Sequence, residues 1–151
     1  MSLFGKKPLL NKQIQEQVAA CIAHAEQGTT GEIRVFVESH CAYVDPLERC
    51  AEVFTELNMH QTADRNGVLL YLAIKDRQFA IAGDKGINDK IGGNVYWQTT
   101  ARRLRDHLKE GLIAEGICVC VKDIGASLAA FFPHTGGDNP NELPDEIVFG
   151  S

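Results

Sequence analysis

Oxygen-bearing side chains recur at the turns of this chain rather than within its apolar runs. Glu32 opens an alternating segment, Asp64 and Asn66 lie in Asp64-Arg65-Asn66-Gly67 before an apolar run, and Asp84 follows another in Gly83-Asp84-Lys85-Gly86. Carboxylates brought together repel one another unless a proton or a cation joins them. With no His or Cys among them, these four residues suit a hard ion, Ca²⁺ or Mg²⁺, over zinc. A cation held there could also bind a phosphate oxygen, with Arg65 or Lys85 steadying the charge and Asp84 activating water. The same loops also read as solvated turns, because Asp, Asn and Gly favour turns for conformational reasons and Arg65 and Lys85 supply counter-charges. The choice depends on whether the fold gathers these residues.

The elements that would gather them are legible from periodicity. Leu10, Ile14, Val18, Cys21, Ile22 and Ala25 recur at helical steps over residues 8–26, with Gly28 just beyond. Residues 32–39 alternate, with Ile33, Val35 and Val37 on one face, as a strand does. Asp45 reads as an N-cap and Pro46 as the first position of a helix whose stripe is Leu47, Cys50, Phe54 and Leu57. The run at residues 68–74 is apolar on both faces and predicts a central strand covered on each side. Asp76-Arg77 then turns tightly into a strand at residues 78–82, which must be antiparallel to the one before it. A short helix near residues 87–91, another from Asn94 to about Lys109, and a last one carrying Ile113, Ile117, Val121, Ile124, Leu128 and Phe131 follow. This order predicts a three-layer α/β/α sandwich around a small mixed sheet. A right-handed crossover makes the first two strands parallel, so Glu32, Asp64, Asn66 and Asp84 should meet at one edge. Asp45 and Asp76 fall at the other.

Composition narrows the function. The chain has 151 residues, 15 Lys+Arg against 20 Asp+Glu and a net charge of −5, which argues against nucleic acid as the main partner. No apolar run approaches the ~20 residues of a membrane span. Behind Lys6 and Lys7 only Leu9-Leu10 is apolar, so no export segment is expected. Five cysteines, an odd number with mostly apolar neighbours, predict free thiols and a reducing, cytoplasmic setting. Cys118-x-Cys120 reads as packing on a helix face. Residues 1–132 form the expected domain, and residues 133–151 an acidic, flexible tail with Asp138, Glu142, Asp145 and Glu146 and no base. Leu143, Ile147 and Phe149 are the residues that could pin that tail to the body.

Three blocks in order carry a family resemblance. Thr30-Gly31-Glu32-Ile33-Arg34-Val35, Asp64-Arg65-Asn66-Gly67-Val68-Leu69-Leu70, and Asp76-Arg77 with Ile81-Ala82-Gly83-Asp84-Lys85-Gly86-Ile87 resemble the TPM domain, over roughly residues 8–132. The resemblance implies an α/β/α sandwich, binding of divalent cations, Ca²⁺ in particular, and an acid phosphatase activity attributed to plant relatives. The family's acidic loop positions match Asp64 and Asp84, with Glu32 and Asn66 inside the same blocks. Two functions are therefore expected in outline. One is a cation-stabilised, non-catalytic module that binds a protein partner. The other is a metal-dependent phosphomonoesterase, against which stands the absence of a Cys with Arg six positions later and of an Asp-x-Asp pair.

Overall fold

A computed structural model describes residues 9–134 and 143–150. The chain runs α1 (Lys12–Glu26), β1 (Glu32–Glu38), α2 (Pro46–Glu56), β2 (Gly67–Ala73), β3 (Gln78–Gly83), α3 (Lys85–Ile91), a 3₁₀ turn (Asn94–Trp97), α4 (Gln98–Lys109), α5 (Ile113–Phe131) and β4 (Val148–Phe149). The strands make one mixed sheet in the order β3-β2-β1-β4. β1 and β2 pair in parallel from Glu32 opposite Gly67 to Glu38 opposite Ala73, and β3 runs antiparallel to β2. Every residue of β2 is buried, as its two apolar faces predict.

Strand parity divides the core. Ile33, Val35, Val37, Val68, Leu70, Leu72 and Ile81 face α1, α4 and α5, through Val18, Ile22, Leu104, Val121, Ile124 and Leu128. Phe36, Leu69, Tyr71, Ala80 and Ala82 face α2, through Cys50, Val53 and Phe54. This is the α/β/α sandwich, with several helices on one face and α2 on the other. Local signals place the ends. Asn11 caps α1 by accepting from the Ile14 amide at 2.8 Å, so that helix begins later than Pro8. Asp45 caps α2 by accepting from Leu47, with Pro46 in its first turn. Asn94–Trp97 is a 3₁₀ turn ahead of α4, not part of it. Among the described residues no helix is long and apolar enough to cross a membrane.

One expectation changes, and another is sharpened. Cys21 on α1 and Cys118 on α5 form a disulfide with Cα atoms 5.7 Å apart, 97 residues apart in sequence, whereas Cys41, Cys50 and Cys120 are free. Disulfides persist in oxidising surroundings, so the ground for expecting a cytoplasmic setting is removed. The helical stripes that suggested buried thiols are the same ones that lay α1 against α5 and bring the two sulfurs together. Over the part described, the C-terminal segment meets the body through the three residues named as able to pin it. Val148 and Phe149 pair in parallel with Phe36 and Val37, while Leu143 and Ile147 are buried in the two cores. Residues 135–142 and 151 lie outside the described residues.

The face under α2 carries a buried charge. Glu38 accepts from Arg49 Nε at 2.9 Å, from Arg49 Nη2 at 3.1 Å and from the Tyr71 hydroxyl. The Arg49 guanidinium lies 5.7 Å above the Phe36 ring, which stacks on Tyr71. Burial works to raise the Glu38 pKa, but the bonds from Arg49 and Tyr71 outweigh it and hold the group below its ordinary value of 4.5. A depressed carboxylate contributes stability that is present above its unfolded pKa and is lost as pH falls through the folded one. Arg49→Ala leaves that charge buried without its partner, at a cost of about 3 kcal/mol and about 6–12 °C in Tm near pH 7. Thermal melts across pH should show the gap between variant and parent narrowing below 4.5, where Glu38 takes up a proton.

Candidate functional site

The parallel register sets Glu32 opposite Gly67, so the residues just before β2 lie beside the start of β1. The Glu32 amide donates to the Asn66 carbonyl at 3.4 Å, and the Asp84 amide to the Gly67 carbonyl at 2.8 Å. Glu32, Asp64–Asn66 and Asp84 thus lie at one edge of the sheet, where the strand order puts them, and Thr30 stands beside them. Gly86 keeps this edge tight. Its amide donates to the Arg65 carbonyl at 2.7 Å, and a Cβ there would sit 2.1 Å from the Asp64 carbonyl oxygen.

Within this edge the side chains fall into three groups. Asp84, 6% exposed, caps α3 by accepting from the Lys85 amide at 2.8 Å. Its two oxygens also accept from Arg65 Nε at 2.7 Å and Nη2 at 2.8 Å, a bidentate pair. Arg65 reaches it from a left-handed backbone, φ 52°. Thr30, Asp64 and Asn66 make the second group. The Thr30 hydroxyl donates to Asp64 Oδ2 at 3.4 Å and accepts from Asn66 Nδ2 at 3.2 Å. Asn66 is fully buried, and its Oδ1 has no hydrogen-bond partner among the described residues. Glu32, 2% exposed, belongs to a third group, within electrostatic reach of Glu26. Lys85 turns along α3 to Asp89, at 3.0 Å. Among the described residues no three His, Cys, Asp or Glu side chains are grouped to hold a metal ion.

A profile of the TPM domain matches residues 6–127. The chain belongs to the TPM domain family. It is similar to the BA42 protein of the psychrophilic bacterium Bizionia argentinensis, solved by NMR, at 34% identity over 98% of this chain and 100% of that one, with a TM-score of 0.85. The N-terminal domain of cg2496 from Corynebacterium glutamicum shares the fold at 15% identity and a TM-score of 0.63, over 87% of this chain and 79% of that one. An N-terminal domain from P. gingivalis does so at 17% identity and 0.64, over 85% and 83%. No curated protein matches significantly.

In this TPM domain the motif glycine and acids therefore knit loops together before they do anything else. Sequence reasoning passed over Thr30, which bridges Asp64 and Asn66, and over Glu26. The signal for Glu26 was present, since it continues the buried stripe Val18, Ile22, Glu26 of α1. Its Oε2 accepts from the Ile33 amide at 2.7 Å. That amide faces the side of β1 where the two-residue β4 pairs only farther along, with Phe36 and Val37. Burial pushes the Glu26 pKa up to about 10, and Asp145 and Glu32 push the same way against the opposing bond from Ile33.

The raised value makes stability fall as pH climbs from 4.5 to about 10, because the unfolded chain releases a proton that the folded one keeps. Glu26→Gln keeps an acceptor for Ile33 and a donor for Asp145 without that proton. Its Tm should exceed the parent's by several degrees near pH 8 and match it below 4.5, as read by melts across pH. Gly86→Ala must force the Asp64–Arg65 backbone away, at about 1–3 kcal/mol or more. Denaturant titration should show that loss, and NMR shifts should spread to Asn66 and Asp84.

Proposed function

We propose that this TPM domain is a non-catalytic interaction module whose acidic edge takes a hard divalent cation, Ca²⁺ ahead of Mg²⁺. The carrying observation is the buried Oδ1 of Asn66, which has no partner among the described residues and whose amide group is linked through Thr30 to Asp64. A buried acceptor without a partner is costly, and a cation would satisfy it. The donor set is all oxygen: the Asp64 carboxylate, Asn66 Oδ1 and the Thr30 hydroxyl, with Glu32 and Asp84 adding negative field. Irregular loops with neutral oxygens suit the larger, geometrically tolerant Ca²⁺. The ion's contribution would be to join the β1 and β2 entry loops and so to set the surface offered to a protein partner.

The engagement of Asp84 favours this reading over phosphomonoester hydrolysis. A base that activates water needs a free oxygen, and both oxygens of Asp84 are held by Arg65. Lys85 is paired with Asp89 on the helix surface, away from a phosphate-binding role.

Thermal shift with chelator and with millimolar Ca²⁺ tests the reading. A hundredfold excess over Kd stabilises the folded state by about 2.7 kcal/mol, a rise of several degrees in Tm. Asp64→Asn should match the parent in chelator, or exceed it slightly through relieved repulsion, and should lose most of the Ca²⁺ response. An unshifted parent, or an equal shift in Asp64→Asn, would overturn the cation site. Metal-dependent turnover of para-nitrophenyl phosphate that is lost in Asp84→Asn would overturn the non-catalytic reading.

A further inference from the structure

We propose that a second site, at the end of the sheet opposite the acidic loops, binds a small amphiphilic anion: an apolar chain or ring carrying one carboxylate or phosphate head. A cavity of about 400 Å³ lies between the β2–β3 turn and the α4–α5 connection. That volume is within the range of small-molecule sites, roughly 300–1,000 Å³. Leu72, Phe79, Leu108 and Ile113 provide an apolar lining, and Arg77, Arg105 and Lys109 provide cations. The position is the carboxyl end of β2, where open α/β sheets bind ligands.

Three observations point to an anionic head. None of the three cations has an ion pair among the described residues, in a chain of net charge −5. Arg105 lies 5.7 Å over the Phe79 ring, so one cation is already drawn to the apolar lining. Arg77 holds φ 55°, a conformation that favours glycine. Arg65 at the other end holds a similar φ, and its guanidinium forks onto Asp84. Arg77 has no such carboxylate among the described residues, and its neighbour Asp76 is occupied by His40 and the Cys41 amide, each at 2.7 Å. The left-handed φ is that of the β2–β3 hairpin turn, in which the Arg77 amide donates to the Ile74 carbonyl at 3.3 Å, so the turn fixes where this guanidinium stands. An apolar lining next to unpaired guanidinium and ammonium groups selects a ligand with both characters, since charge-assisted bonds strengthen where water is displaced.

The test is an NMR titration of the ¹⁵N-labelled protein with octanoate, octyl phosphate and octanol, each separately, and with acetate plus inorganic phosphate as a head-only control. Octanoate or octyl phosphate should give saturable shifts confined to the β2–β3 turn and the α4–α5 connection, and the tighter of the two identifies the head. Octanol should bind about tenfold more weakly, the worth of one charge-assisted bond. Arg77→Gly with Lys109→Gln should weaken the anion about tenfold as well. Glycine suits the left-handed backbone at 77, so the parent's Tm should be kept or exceeded. Asp64→Asn should leave this binding unchanged, which separates it from the acidic edge. No saturable binding by either anion, octanol binding as tight as octanoate, or a double variant that binds as the parent does would each overturn the proposal.

Discussion

Screening β2 from water on both faces organises this molecule. All seven of its residues are buried, and a strand in that position needs a neighbour on each edge and a helix layer on each face. β1 and β3 supply the edges, α1, α4 and α5 one face, and α2 the other. Each fully buried Val, Leu or Ile contributes about 1.5–3 kcal/mol relative to exposure. No exposed surface remains along the length of β2 for a polar site. Polar chemistry is therefore displaced to the two ends of the sheet, where strands give way to turns.

The charged groups that remain inside are reconciled in opposite ways. Glu38 keeps its charge because Arg49 and Tyr71 bind both of its oxygens under α2. Glu26 gives up its charge, because burial disfavours it and Asp145 and Glu32 add to that, while a single backbone amide, that of Ile33, opposes them. Burial works against the charge at both sites, and only at Glu38 does a cation stand by to offset it. Glu26 does for part of the β1 edge what a longer β4 would have done, supplying an acceptor to an amide that strand pairing leaves over.

The two ends of the sheet share a device and differ in its outcome. Each carries an arginine in the left-handed region, Arg65 at the start of β2 and Arg77 at the start of β3. Arg65 folds onto Asp84 and joins the β2 entry loop to the first turn of α3, a junction made possible by the bare backbone of Gly86. Arg77 borders an apolar cavity with Arg105 and Lys109. The acidic end is therefore internally cross-linked, whereas the basic end presents three cations with no ion pair among the described residues.

Much of this was legible in the chain because it depends on local or short-range rules. Helical spacing, the Asp45-Pro46 start, the unbroken apolar run of β2 and the tight Asp76-Arg77 turn determine the elements and their order. With right-handed crossover they also determine that Glu32, Asp64, Asn66 and Asp84 end at one edge. What those side chains touch there was decided by tertiary structure, because an oxygen bonds to whichever donor three-dimensional packing brings within 3 Å or so. Asp84 met Arg65, Asp64 met Thr30, and Lys85 turned to Asp89. The Cys21–Cys118 bond was likewise invisible in sequence, and of the C-terminal segment only the residues able to pin it were legible, not their pairing with β1, since both contacts join segments about a hundred residues apart or more. Periodicity along a chain reports which face of an element is buried, but only the packed whole reports which partner waits on that face.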